Sequence, residues 1–134
     1  MSGLTNLDQL IAGLSPVLNP GEWVFVSVAD AETARSLEPI CIFVEAEGVT
    51  AICLRDQAVQ ANLPNEEVFS HITLDVHSSL NAVGLIAAVA DVLSQSGIPC
   101  NVVSAVHHDH LFVPIKRAKD AQALLKRMSA ARKL

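Results

Sequence analysis

Tyrosine is absent from this 134-residue chain, and the remaining aromatics are one Trp and four Phe. The core must therefore be built from Val, Ile, Leu and Ala, which dominate the apolar half of the sequence. Basic residues are scarce too: before Lys116 there are only Arg35 and Arg55, against thirteen of the fourteen acids. The other seven basic residues run from Lys116 to Lys133 with no aromatic among them, which reads as a solvated helix face and not as a nucleic-acid contact. No apolar run reaches the roughly 18–20 residues of a membrane span. The N-terminus lacks the basic and apolar blocks of a secretory signal. Cys41, Cys53 and Cys100 show no CxxC spacing and are odd in number, as expected of free thiols in a reducing cytoplasm. A cytoplasmic chain that binds neither nucleic acid nor membrane is the expectation.

What is present is a succession of short periodic segments. Leu4, Leu7, Leu10, Ile11 and Leu14 recur at helical spacing, with Thr5 as a possible cap and Asp8 three residues further on. Gly13 and Pro16 stop that helix, and Asn19, Pro20 and Gly21 make a turn. Trp23 to Val28 is a strand, residues 29–38 an acidic loop with one helical turn, and residues 40–45 and 49–54 a hairpin closed at Gly48. A short helix over 56–63 ends at Pro64.

The second half is drawn on a larger scale. Ile72, Leu74 and Val76 alternate with His71, Thr73, Asp75 and His77, the pattern of a half-buried strand. A helix over 80–95 follows, then a strand over 100–106, a tip at His107 to His110, a strand over 111–115 and a helix over 116–128. Aligning the two hairpins gives an internal repeat of about 60 residues. The fold expected is α/β (α+β), with two β-α-β-β-α units in tandem: residues 1–64, in which the first unit is degenerate and preceded by a helix, and residues 65–134. The helix over 80–95 is apolar almost all round, so the other unit or a second copy of the chain, as a homodimer, is expected to cover it.

Three motifs of this half stand together: Val76-His-Ser-Ser-Leu-Asn-Ala-Val-Gly-Leu85, Gly97-Ile-Pro-Cys-Asn-Val102 and His107-His-Asp-His-Leu-Phe-Val-Pro114. This half resembles an ACT domain, and nearly the whole chain is similar to small stand-alone bacterial proteins made of two ACT units. The resemblance implies ferredoxin-like βαββαβ units, binding of an amino acid or another small ligand, assembly into oligomers, and no catalysis. In one respect the sequence departs from it. The ACT order ends in a fourth strand, but only a basic tail follows the helix over 116–128, so Trp23 to Val28 is the candidate to fill that place.

By the same resemblance the ligand lies where the first strand turns into the first helix, on His77, Ser78, Ser79, Asn81, Ala82, Val83, Gly84 and Leu85. Physically, the N–H groups of residues 81–84 would open towards a carboxylate, with Asn81 as a side-chain donor. Ser78 or Ser79 can equally be an ordinary helix cap. Gly84 implies close approach, by a ligand or by a packed element. Asp109 can close its own turn or reach the helix opening and hold an amino group. The His107–His110 tip carries metal-ligand chemistry, but strand alternation sends His107 and His108 to opposite faces, and no cofactor is expected. Neither Ser78 nor Cys100 stands in a nucleophile's context, so the chain is expected not to be an enzyme. The function expected is non-catalytic, regulatory binding of a small molecule, an amino acid first. A protein-interaction module would need an exposed apolar face on the helix over 80–95, and a metal protein would need His77, His107, His108 or His110 to converge.

Overall fold

The computed structural model describes residues 6–133. In chain order its elements are α1 (Leu7–Gly13), β1 (Ser15–Leu18), β2 (Trp23–Val28), α2 (Ala31–Ser36), β3 (Cys41–Glu45) and β4 (Gly48–Leu54). There follow α3 (Arg55–Gln60), β5 (Phe69–Asp75), α4 (Leu85–Gln95), β6 (Asn101–Ser104), β7 (Asp109–Pro114), one 3-10 turn (Ile115–Arg117) and α5 (Ala118–Ala131). Packing sorts them into two units, Gly21–Phe69 and the segment up to Pro20 together with the chain from Ser70 onward. The sequence reading put the N-terminal helix with the first unit. It packs instead with the second, because Leu10, Ile11 and Leu14 share a core with Ile72, Leu74, Leu93 and Leu125.

The first unit, Gly21–Phe69, is small. Strand β4 pairs antiparallel with both β2 and β3, and Trp23 of β2 also pairs with Phe69. Val24, Val26 and Val28 alternate into a core closed by Ala34, Ala51, Cys53 and Ala58. The helices packed on this core, α2 and α3, have six residues each. The Asp30 carboxylate caps α2 by accepting the Thr33 N–H at 2.8 Å, and this bond holds its carboxyl below the ordinary carboxylate value.

The second unit carries strands in the order β1-β5-β7-β6. Counted from β5, that is the fourth, first, third and second strand of a ferredoxin-like βαββαβ unit, with the last strand moved to the front of the chain. The fourth strand is thus Ser15–Leu18, antiparallel to β5 from Ser15↔Asp75 to Leu18↔Ile72, and not Trp23–Val28. Pro16 hid it by reading as a helix stop. Among the described residues β1 pairs only with β5, a position in which a missing N–H is tolerated. Helix α5 clasps this segment: the Gln122 side-chain amide donates to the Pro16 carbonyl and the Ser129 hydroxyl to the Ala12 carbonyl, each at 3.0 Å. Thr5 lies outside the described residues, and Asn6 caps α1 through the Gln9 N–H at 3.0 Å.

Helix α4 buries Leu85, Val89 and Leu93, one residue per turn. Helices α1 and α5 of the same unit supply part of the expected cover. Among the described residues no helix is long and apolar enough to cross a membrane.

The sheet face opposite these helices holds a histidine pair. Buried His71 stacks on Phe112 with ring centroids 5.0 Å apart, and its Nε2 lies 2.9 Å from Nδ1 of His110. The Asn19 amide NH2 donates to the Thr73 hydroxyl at 2.8 Å and meets His71 Nδ1 at 3.2 Å. Nδ1 is therefore the acceptor, and His71 donates from Nε2 to His110. Burial, then the charge of the neighbouring imidazoles, moves both rings below the ordinary 6.5, and Asp109 opposes this only in part at His110. A depressed histidine value means that the unfolded chain binds more protons, so stability rises with pH through this window. The unfolding free energy from urea titration is expected to fall as the pH drops below 6.5. In His71→Gln that decline should be shallower, and an equal decline in both proteins would contradict the assignment.

Candidate functional site

Strand β5 ends at Asp75, and nine residues pass before α4 begins at Leu85. The sequence periodicity had carried this helix back to residue 80. What shortens it is Gly84, which caps the helix with φ at +102°, a left-handed conformation that L side chains rarely adopt. Upstream of it the chain turns on itself: the Asn81 N–H donates to the Ser79 hydroxyl at 3.1 Å and the Ala82 N–H to the Ser79 carbonyl at 2.9 Å. Two of the N–H groups expected to receive a carboxylate are therefore already bonded. The donors at the true start of α4 belong to Leu85, Ile86 and Ala87, since the first helical bond runs from the Ala88 N–H to the Gly84 carbonyl at 2.9 Å. No side chain caps this end.

These three residues line one wall of a pocket of about 130 Å³. Ser78, Ser79, Leu80, Ala82 and Gly84 supply the loop side, and Ser104 and Asp109 the strand side. Asp109 is not in a turn. It opens β7, and its register partner is Ser104 of β6, so the two side chains are neighbours on the helix-facing side of the sheet. Strand alternation continues that row into Leu111 and Val113 of the core. Asp109 is 8% exposed and Ser78 9%. Neither side chain makes a hydrogen bond or ion pair with another of the described residues.

Of the residues expected at the site, Ser78, Ser79, Ala82, Gly84, Leu85 and Asp109 converge on this pocket. His77, Asn81 and Val83 do not line it: Val83 is 83% exposed, and the His77 ring tilts against His107 with centroids 6.1 Å apart. Leu80, Ile86, Ala87 and Ser104 line the pocket without having been expected. Ile86 and Ala87 follow once the helix start moves to Leu85. The position of Ser104 follows from pairing it with Asp109, which needs the register of the hairpin.

The histidine tip divides as alternation demands. His107 meets His77, whereas His108 and His110 share the other face, His108 pairing with Asp75 at 3.4 Å and His110 meeting His71. Among the described residues no three His, Cys, Asp or Glu side chains stand close enough to hold a metal ion. Burial raises the thiol values of Cys53 and Cys100, which keeps both protonated and weakly nucleophilic.

Comparison with known proteins adds the following. An ACT-domain family profile matches residues 2–70 and a second ACT-domain profile matches residues 66–127. A solved Vibrio cholerae protein of unknown function, described as a possible transport protein, is 42% identical, covers 96% of this chain and 99% of its own, and superposes with a TM-score of 0.85. An Agrobacterium tumefaciens protein is 19% identical over 87% of this chain and 89% of its own, with a TM-score of 0.63. The regulatory subunit of aspartate kinase from Thermus flavus is 10% identical over 85% and 96%, with a TM-score of 0.60. These last two share the fold. Among curated protein sequences nothing matches.

The close approach that Gly84 permits is made by the protein itself, since a Cβ there would stand 3.0 Å from Leu7 Cδ2 of α1. Gly84→Ala is therefore expected to destabilise the second unit by about 1–3 kcal/mol through its backbone alone. Thermal unfolding should register a lower melting temperature, and an unchanged one would mean that the left-handed cap is not held.

Proposed function

The chain belongs to the ACT-domain family, whose members are regulatory modules, and on that premise we propose that it is a cytoplasmic regulatory protein that binds a free α-amino acid at the start of α4. The observation that carries this reading is the pairing of two opposite recognition groups in one small pocket. The first-turn N–H groups of α4 favour a carboxylate, by hydrogen bonding and by the helix dipole. The carboxylate of Asp109, a residue only 8% exposed, lines the pocket without a hydrogen-bond or ion-pair partner among the described residues and favours an ammonium group. An α-amino acid carries both charges on one carbon. A plain anion would meet repulsion from Asp109, and a plain amine would leave the helix start unused.

Binding at this place would order the loop over 76–84 against α4, and a regulatory signal would follow from that change in packing. The protein-interaction alternative required an exposed apolar surface on the helix expected over 80–95; Leu80 and Val83 are 65% and 83% exposed but lie in the loop before α4, and no large apolar side chain of α4 itself is among the exposed ones. Cytoplasmic residence accords with three free thiols. Homodimer formation is part of the proposal, and the edge strand β3 is the surface on which a second copy would pair, since Phe43 and Val44 are 67% and 69% exposed there. Light scattering of wild type against Phe43→Lys should show a dimer reduced to a monomer. A wild-type monomer would remove this part of the proposal.

The zwitterion requirement is tested by isothermal titration with a series of L-amino acids, their α-hydroxy acids and their amides. Only compounds that keep both charged groups should bind. Asp109→Asn should weaken binding at least about tenfold, the scale of a hydrogen bond to a charged group. Equal binding of the α-hydroxy acids, or full affinity in Asp109→Asn, would contradict the reading.

A further inference from the structure

We infer that His71, His110 and Asn19 form a proton-sensing relay, which carries the charge state of the histidine pair to the point where the chain leaves the second unit. The ground is a count of hydrogens. The two rings hold four nitrogens, and the 2.9 Å contact between His71 Nε2 and His110 Nδ1 has room for one hydrogen. The neutral pair carries two. One lies in the contact, and the Asn19 NH2 group at His71 Nδ1 sends the other to His110 Nε2. A third hydrogen, whichever ring is counted as charged, has only His71 Nδ1 left to occupy. That nitrogen then becomes a donor pointing at a donor. A fourth would put two hydrogens in the contact, so the closed pair takes up one proton as a unit.

The conflict is relieved when the Asn19 amide turns over, so that its oxygen accepts from His71 Nδ1. Thr73, 2.8 Å from that amide, follows, because a hydroxyl donates as readily as it accepts. The backbone stays in place, since the Asn19 N–H donates to the His71 carbonyl at 2.9 Å. Asn19 precedes Pro20, the last residue before the chain enters the first unit, and His71 follows Ser70, where the chain returns. A proton on the pair is thus reported beside both connections. The surroundings set when it arrives. Burial first, then the neighbouring imidazoles, keeps both rings neutral until the pH falls below 6.5. Asp109, the neighbouring residue on β7, draws a proton towards His110. His108, with its ring 6.4 Å from that of His110, opposes it and is itself paired with Asp75 of β5 at 3.4 Å. Strands β1 and β6 carry no titratable side chain.

The test follows the full chain by NMR, with isotope labels in its histidine rings and asparagine amides, from about pH 8 to about pH 5. His71 Nδ1 should gain its hydrogen, and the Asn19 amide signals should shift, at the single midpoint where His110 becomes charged. In His108→Gln both responses should remain. His110→Asn replaces the second ring with an amide that does not titrate and leaves the charge to the buried ring alone, so the Asn19 response should move at least about one pH unit lower. A His71 Nδ1 that stays bare while His110 titrates, or Asn19 signals that do not follow, would overturn the relay. This reading needs the wild type only, so it stands even where a variant fails to fold. An Asn19 response unmoved in folded His110→Asn, or lost in folded His108→Gln, would overturn the assignment of the sensing group to His110.

Discussion

A left-handed backbone at Gly84 decides where α4 begins, and the rest of the site depends on that start. Were the helix to begin five residues earlier, as its apolar periodicity allows, its first N–H groups would lie in the loop and its first turns would fill the pocket. With φ at +102°, Gly84 instead breaks the chain direction, lets the loop from Val76 close on Ser79, and leaves Leu85, Ile86 and Ala87 as an uncapped first turn. Leu7 of α1 packs against the glycine, its Cδ2 3.0 Å from where a Cβ would stand. The same residue thus serves the core on one side and the pocket on the other.

The second constraint is the alternation of β7. Starting at Asp109, every other residue faces the helices, so the carboxylate, Leu111 and Val113 form one row and His108, His110 and Phe112 the other. One row runs from the pocket into the core, and the other carries the histidine network on the far face. A shift of one residue would exchange them, placing His110 in the pocket and Asp109 against His71. The hairpin register Ser104↔Asp109 fixes this choice and brings the Ser104 hydroxyl alongside the carboxylate.

Much of this was legible in the sequence. The hairpin about Gly48, strand β5 and its alternation, the two large helices and the ferredoxin-like class all follow from local periodicity and turn residues. The motif from Val76 to Leu85 pointed to the correct bend of the chain, and Asp109 was recognised as a group able to meet an amine. What escaped is non-local. Pro16 looks like a helix stop unless the strand beside it is known, so the fourth strand of the second unit was assigned to Trp23–Val28 in place of Ser15–Leu18. The left-handed state of Gly84 also has no local signature, because a glycine in an apolar run reads equally well as a point of close packing within a helix. Asn81 and Val83 were included because the resemblance placed the whole strand-to-helix loop at the ligand, but they do not line the pocket.

The central claim is that the first turn of α4 and Asp109 together form the ligand site of this ACT protein. It is tested most directly by following backbone amide shifts of the isotope-labelled protein by NMR while a small amino acid is added. The account predicts saturable shifts confined to the loop over 78–84, the amides of Leu85, Ile86 and Ala87, and the Ser104–Asp109 pair. Shifts centred instead on the surface pocket of the first unit, lined by Phe25, Pro64, Glu66 and Glu67, would contradict it.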